Sequence, residues 1–86
     1  MRTQIDRWDP EPVYAQLADI LRGQIDRGEL VARQPLPSET YLVQHYGVSR
    51  GTARRAVAVL RDEGLVRTIA QRGTYVVPAN DGGTSG

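Results

Sequence analysis

The 86-residue chain contains no cysteine, no lysine and only one histidine. Without cysteine, disulfide frameworks and cysteine-ligated zinc sites are excluded, and one histidine with scattered acids lacks the ligand spacing of other metal sites. The longest apolar run, Ala56 to Leu60, is far shorter than the ~20 residues of a membrane span. Met1 to Trp8 has no apolar core of signal-peptide type. We therefore expect one small soluble domain in the cytoplasm, with no cofactor and no membrane partner.

Enzymatic function is also disfavoured, because His45 is the only histidine. A nucleophile, a base and an orienting group cannot be assembled around it. No glycine-rich phosphate loop follows a predicted strand. Packing at the surface or at a helix end is the simpler interpretation of His45, so we expect a protein that is not an enzyme.

The net charge of +1 hides an uneven distribution along the chain. Residues 1–49 contain five arginines and seven acids, and residues 73–86 contain one acid and no base. Residues 50–72 contain six arginines and only two acids, a balance of +4. Local patches, and not the total charge, set the attraction of a protein for phosphate. The charge pattern therefore places a candidate nucleic-acid surface in residues 50–72.

Two helical segments meet at Gly47, where the chain is predicted to reverse. A tight turn between helices needs a residue that accepts positive φ, and glycine does so without steric cost. Ser38 and Ser49 are placed to cap the two helices by accepting from N–H groups of the first turn. Apolar residues around the turn allow two helices to cross at roughly 90 to 120°. They are Leu42, Tyr46, Val48, Ala53, Ala56, Val57 and Leu60.

Arginines gather on one side of the second of these helices. At about 100° per residue, Arg50, Arg54 and Arg61 share a side that the apolar residues do not occupy. A solvated charged face is the alternative interpretation. However, the exposed Gly51 beside the arginines costs up to ~1 kcal/mol of helix propensity and brings no packing. We expect this helix to enter the major groove of DNA with its amino-terminal end, where Arg50 and Thr52 lie.

A first helix and a terminal hairpin complete the predicted fold. Pro12 suits the first helical position, and apolar residues recur at helical spacing until Gly28. Residues 65–69 and 74–77 are rich in β-branched and aromatic residues, and residues 70–73 form the turn between them. A hairpin is marginal alone, so it must pack on the helices. The fold class is therefore mainly α with a small β-hairpin, a winged helix-turn-helix of three helices plus a wing.

We place the winged helix in residues 12–77, between a flexible arm of residues 1–11 and a disordered tail of residues 78–86. The arm is polar and contains a proline, so a frayed terminus is favoured over a DNA contact. Trp8 is expected to fold back on the domain. Between the first and second helices, two prolines allow at most a short extended piece at Leu36.

Many spaced residues agree in order with one known pattern. They are Leu36-Pro37-Ser38-Glu39, Leu42, Gly47-Val48-Ser49-Arg50, Thr52, Arg54, Leu60, Glu63-Gly64-Leu65 and Arg72-Gly73-Thr74-Tyr75-Val76. In these positions the sequence resembles the DNA-binding domain of GntR-family transcriptional regulators, over about residues 12–77. The resemblance implies a regulator, expected to be a repressor, that binds a short palindromic operator.

The resemblance also implies which residues contact double-stranded DNA. In the GntR family, residues at the positions of Arg50, Thr52 and Arg54 contact the operator. We expect Arg50 or Arg54 to read guanine, whose O6 and N7 match the guanidinium fork, and Thr52 to touch a phosphate or a thymine methyl. Arg72 at the wing tip is expected to reach a backbone phosphate or the minor groove. The full candidate set is Ser38, Glu39, Thr40, Ser49, Arg50, Gly51, Thr52, Arg54, Arg55, Gln71, Arg72 and Gly73.

Within that set, Ser38 and Ser49 are expected to act first as helix caps and second as phosphate ligands. Two other positions of the set depart from the family pattern. Some members have an arginine where this chain has Thr40, so a phosphate contact is expected to be missing. Many members have glycine where this chain has Gln71. The hairpin is therefore expected to be less free to press its backbone into the minor groove.

Family members usually continue into a domain that binds an effector and dimerises, whereas nine residues follow Val77 here. The chain is either a fragment of a longer regulator or a stand-alone domain. We expect no effector domain within it, and its thin core offers little room for a pocket of ~300 Å³ or more. A homodimer is expected, formed in advance or only on DNA.

One alternative function stays open, a winged-helix module that binds another protein as a partner of a larger regulator. A protein-binding face should show exposed aromatic or aliphatic anchors. The predicted groove-facing side shows clustered arginines beside small residues instead. Structured RNA is disfavoured, because no aromatic platform for base stacking is evident. DNA binding is therefore the preferred interpretation.

Overall fold

The computed structural model describes residues 3–78 as three helices followed by a two-stranded antiparallel sheet. The helices are α1 (Val13–Asp26), α2 (Glu39–Tyr46) and α3 (Arg50–Asp62), and the strands are β1 (Val66–Ile69) and β2 (Gly73–Val76). The predicted winged helix-turn-helix is confirmed. Of the predicted arm and tail, residues 1–2 and 79–86 lie outside the described residues.

α1 is the scaffold helix behind the helix-turn-helix. Its buried face contains Leu17, Ile20 and Leu21, and it packs mainly against α3. Pro12 occupies the N-cap and not the predicted first helical position, because its ψ of 145° is extended. Gly28 follows the helix with a φ of +77°, so the chain leaves α1 where the periodicity predicted.

The helix-turn-helix contains the three predicted residues, with Ser38 at the start of α2 and Gly47 and Ser49 between α2 and α3. The Ser38 hydroxyl accepts from the backbone N–H of Tyr41 at 3.0 Å, and the Ser49 hydroxyl accepts from that of Thr52 at 3.1 Å. Gly47, between the helices, has a φ of +65°. Both caps and the left-handed turn therefore form as the sequence predicted, and Gly47 and Ser49 fix where α3 begins.

The two strands form the wing. Ile69 is paired with Gly73, so the connecting loop is residues 70–72 and is one residue shorter than predicted. Gly73 joins the ladder because the chain already reverses at Gln71, which has a φ of +66°. The wing is therefore a tight hairpin with its tip at residues 70–72.

The connection between α1 and α2 adds a third extended segment along the free edge of β2. The Leu36 N–H donates to the Thr74 carbonyl at 2.9 Å, and the Arg33 N–H donates to the Val76 carbonyl at 2.8 Å. Pro35 lies between these two donors and has no backbone N–H that would need a hydrogen-bond partner. The extended piece is therefore longer than the predicted one at Leu36, and it ties the wing to the body of the domain.

The core is apolar and draws side chains from all three helices and both strands. Its members are at most 8% exposed and are Leu17, Ala18, Leu21, Leu36, Leu42, Val48, Ala53, Ala56, Leu60, Val66 and Val76. On α3 the buried residues are Ala53, Ala56 and Leu60. Their burial turns the arginine side of α3 outward.

The amino-terminal arm differs from the sequence expectation. Gln16 on α1 is fully buried, and its amide accepts from the Asp6 N–H at 2.8 Å and donates to the carbonyls of Asp6 and Glu11. The arm therefore has specific partners on the domain. Trp8, expected to fold back, is instead 96% exposed. It lies in a turn closed by the Asp6 carboxylate and carbonyl, which leaves its indole outside.

Replacing Gln16 with Ala is expected to lower the free energy of unfolding by about 2 to 4 kcal/mol, because it opens a small cavity and strips the arm of its hydrogen-bond partners. Thermal or urea unfolding followed by circular dichroism measures the loss, and hydrogen exchange at Asp6 measures release of the arm. Gln44→Ala, on the exposed side of α2, is the matched control and should change stability by less than about 0.5 kcal/mol. Equal stability of the two variants would contradict the role assigned to Gln16.

Candidate nucleic-acid interface

The exposed side of α3 carries the arginine cluster that the sequence predicted. The side chains of Arg50 and Arg54 are 59% and 71% exposed, and Arg61 is exposed about two turns further on. Gly51 lies between them with room for a side chain, since an added Cβ would come no closer than 3.9 Å to Ser49 Oγ. Neither packing nor backbone geometry requires glycine there. The bare surface therefore leaves the helix able to approach a ligand closely.

Glu39, in the first turn of α2, holds the two arginines at the start of α3. One carboxylate oxygen accepts from Arg50 at 2.9 Å, and the other accepts from the Arg54 Nε at 2.6 Å. We call Glu39, Arg50 and Arg54 the Glu39 clamp. Hydrogen bonds from Arg54 and then Arg50 lower the pKa of Glu39. The clamp is therefore present at neutral pH and is lost only as acid protonates the carboxylate below its ordinary pKa.

The sequence placed Glu39 in the candidate set, but not as a partner of arginine. The two arginines are 11 and 15 residues away along the chain. No periodicity joins residues on different helices. The crossing of α2 and α3, which the sequence predicted only roughly, is what brings these charges together.

Arg61 connects α3 to the wing. Its guanidinium donates to the Thr68 hydroxyl at 3.0 Å, and the hydroxyls of Thr68 and Thr74 are 2.9 Å apart across the hairpin. The hairpin therefore touches the far end of the arginine side without covering Arg50 or Arg54, which stay exposed. The wing and α3 are held as one surface.

A surface groove of about 590 Å³ lies between the start of α2, α3 and the wing. Arg54, Arg61 and Arg72 line it, together with Glu39 and Thr68. The expectation of little room for a pocket of ~300 Å³ concerned the core, and this groove lies on the surface. The space comes from the wing standing away from α3 and not from a cavity in the core.

The remaining candidate residues on the helices have different surroundings in the structure. The Ser49 hydroxyl donates to Thr52 Oγ1 at 3.0 Å, so both hydroxyls already serve the cap. Thr40 is exposed in the first turn of α2. Arg55 lies about 140° around α3 from Arg50, and its guanidinium stacks 3.9 Å from the ring centre of Tyr14 on α1. Arg55 therefore lies outside the surface formed by the clamp and the wing.

Residues suited to other chemistry are not grouped in the described part of the chain. His45 is exposed on α2, stacked on Tyr41 at 5.0 Å and in edge contact with Tyr46, which is the surface packing expected of it. Among residues 3–78, no three His, Cys, Asp or Glu side chains are arranged to hold a metal ion. No helix in this range is long and apolar enough to cross a membrane.

Comparison with known proteins identifies the family. The model described as "Bacterial regulatory proteins, gntR family" matches residues 13–76, most of the chain. The chain belongs to the GntR family. The family comprises regulatory proteins and not enzymes, in agreement with the sequence prediction.

Similar GntR-family sequences are described as repressors. The HTH-type transcriptional repressor NagR of Bacillus subtilis (strain 168) is 42% identical over 72 residues, which are 84% of this chain and 30% of NagR. The mannosyl-D-glycerate transport/metabolism system repressor MngR of Escherichia coli (strain K12) is 44% identical over 66 residues, which are 77% of this chain and 28% of MngR. The chain thus spans less than a third of the length of these relatives.

A solved structure with the same winged helix is AraR(DBD), crystallised in complex with operator ORX1. It is 36% identical to this chain with a TM-score of 0.74, covering 78% of this chain and 81% of that one. The fold that presents α3 and the wing is therefore one that has been observed on operator DNA.

At the wing tip, Gln71 adopts a backbone conformation that glycine favours. Gln71 precedes Arg72 and has a φ of +66°, in the third position of a turn closed by a 3.0 Å bond from the Arg72 N–H to the Ile69 carbonyl. Turns of this kind favour glycine at that position. The Tyr75 hydroxyl also donates to the Arg72 carbonyl at 3.0 Å. The backbone therefore keeps the turn that glycine favours, at a cost in strain.

Replacing Gln71 with Gly is expected to raise the free energy of unfolding by about 0.5 to 1 kcal/mol, because glycine adopts positive φ without the Cβ clash. Ala70→Gly, at the neighbouring loop position where φ is not positive, is the matched control and should lower stability through the greater freedom of the unfolded chain. Thermal unfolding of both variants measures the difference. Destabilisation by both would show that strain at residue 71 is not limiting.

Proposed function

We propose that this domain binds double-stranded operator DNA by placing the amino-terminal end of α3 in the major groove. The observation that carries the proposal is the Glu39 clamp, because it presents two exposed guanidinium groups in a fixed arrangement at the end of α3 that meets base edges in helix-turn-helix proteins. Support also comes from the similar AraR(DBD), which was crystallised with its operator.

In this proposal Arg50 and Arg54 read bases, and the wing reads shape. A guanidinium fork matches O6 and N7 of guanine, and holding the fork in advance reduces the entropy lost on binding. Arg72, exposed at the wing tip, is placed to contact a phosphate or the minor groove. Ser38, Ser49 and Thr52 serve the caps and contact the backbone through what their hydroxyls leave free. Thr40, Gly51, Gln71 and Gly73 contribute close approach and not charge.

The exposed apolar residues support DNA over a protein partner. Among the described residues, the large apolar side chains that are exposed are Trp8, Val31, Tyr41 and Ile69. None of them lies on α3. The side of α3 that faces outward therefore lacks the aromatic or aliphatic anchors that a protein interface uses.

We further propose that the domain acts in repression, at a short palindromic operator, as a pair of copies that assemble on DNA. The similar NagR and MngR are described as repressors. A single domain of this size buries only ~600 to 1,000 Å² against DNA, so a second copy supplies the remaining affinity. The corresponding location is the cytoplasm, on the nucleoid.

Arg50→Ala and Arg54→Ala, tested singly, are each expected to weaken binding, by about 1 to 3 kcal/mol for a residue that reads a base. The ligand is a duplex selected by the wild-type protein from a random pool, and fluorescence anisotropy at two salt concentrations gives the affinity. Arg27→Ala is the control, because Arg27 is paired with Glu29 after the end of α1. Unchanged affinity of both variants for every selected duplex would overturn the proposal in favour of a protein partner.

Glu39→Gln is expected to raise affinity for DNA in general and to lower specificity for the selected duplex. It frees Arg50 and Arg54 from a competing carboxylate, so affinity for a random duplex should rise and the salt slope should steepen by about 0.9. Preference for the selected duplex should fall, because the two forks lose their common support. Glu29→Gln is the control, since Glu29 is also exposed and also paired with an arginine whose hydrogen bond lowers its pKa. A rise in specificity would contradict the role of the clamp.

A further inference from the structure

The outer face of the wing carries a second group of arginines. Arg33, Arg67 and Arg72 line a groove of about 340 Å³ together with Ile69 and Tyr75. We call these three arginines the outer wing patch. Arg33 and Arg67 were not among the candidates from the sequence, because neither lies on α3 or at the hairpin tip.

The pleat of β1 separates this patch from the groove next to α3. Val66 is buried and Thr68 bonds to Arg61 of α3, so the two share the inner face of the strand. Arg67 alternates with them and faces outward. Arg33 reaches the same side because the segment before α2 runs along β2, with its N–H bonded to the Val76 carbonyl.

Charge in the outer wing patch is not neutralised within residues 3–78. Arg50 and Arg54 share Glu39, and Arg22 and Arg27 have carboxylate partners at 2.5 to 2.7 Å. No comparable ion pair involves Arg33, Arg67 or Arg72 in that range. Like charges gathered in one groove repel each other, so an anionic ligand would relieve the repulsion.

Backbone strain at Arg33 also supports an anionic ligand at the outer wing patch. Its φ of +69° is one that glycine adopts at no cost. A long cationic side chain is present there nonetheless, at a position where it extends a basic surface. Strained positions of this kind concentrate at functional sites.

Arg72 lines both this groove and the groove between α3 and the wing. The basic surface is therefore continuous from Arg54 through Arg72 to Arg67. We propose that the outer wing patch binds phosphates of the same DNA duplex outside the segment read by α3, which rests on the proposed function. The domain then has a longer footprint on DNA than α3 and the wing tip define.

The test compares two duplexes, one containing only the selected site and one extended by a full helical turn at each end. Arg33→Gly removes the cation and relieves the positive φ, and Arg67→Gln preserves an exposed strand residue. Each variant is expected to bind the short duplex as wild type does. On the extended duplex each should lower the slope of log K against log salt by about 0.9, because one phosphate contact is lost. Arg27→Gln removes one charge away from the wing and should change neither slope.

The possible outcomes distinguish failure of the outer wing proposal from failure of the proposed function. Wild type and both variants with equal affinities and slopes on the extended duplex would overturn the outer wing proposal and favour an acidic protein surface as the occupant. If Arg50→Ala and Arg54→Ala still weaken binding to both duplexes, the proposed function stands while this extension of it fails. Failure of the wild-type protein to bind either duplex would overturn both the proposed function and the outer wing proposal. Melting temperatures of the variants confirm that each is folded.

Discussion

The burial of one side of α3 is the constraint on which the rest depends. Ala53, Ala56 and Leu60 are almost completely removed from solvent between α1 and the wing. Two of the three are alanines, so α3 can pack closely on α1. Once this side is inside, the helical period leaves Arg50 and Arg54 on the exposed side, where both pair with Glu39. The exposed arginine surface is a consequence of the packing and not a separate feature.

Placing a carboxylate among binding cations has two opposing effects. Glu39 reduces the net positive charge at the start of α3, which weakens attraction for any polyanion. It also holds two flexible side chains, each of which would otherwise lose about 2 kcal/mol of rotamer entropy on binding. A surface that only needed to bind phosphate would gain from losing the carboxylate. In the proposed function, the clamp therefore favours selection among sequences over strength of binding.

The sequence predicted interactions between residues that are close along the chain, and it missed interactions between residues on different segments. The Ser38 and Ser49 caps join residues three apart, and the arginines on the exposed side of α3 recur at helical spacing, so both were predictable. The Glu39 clamp and the anchoring of the arm by Gln16 join residues 5 to 15 apart on different segments. Such contacts depend on crossing angles that no local pattern specifies. The prediction for Trp8 was wrong because a turn closed by Asp6 holds its backbone and leaves its indole exposed.

The same reasoning explains why the wing can act together with α3. A lone two-stranded hairpin is marginally stable in water, yet here it is held from two sides. Arg61 bonds to Thr68 on β1, and the segment before α2 bonds along β2 through Leu36 and Arg33. The angle between α3 and the wing is thus fixed before any ligand arrives. In the proposed function, a duplex at the end of α3 also meets the wing, and the arginines of both elements act as a single surface.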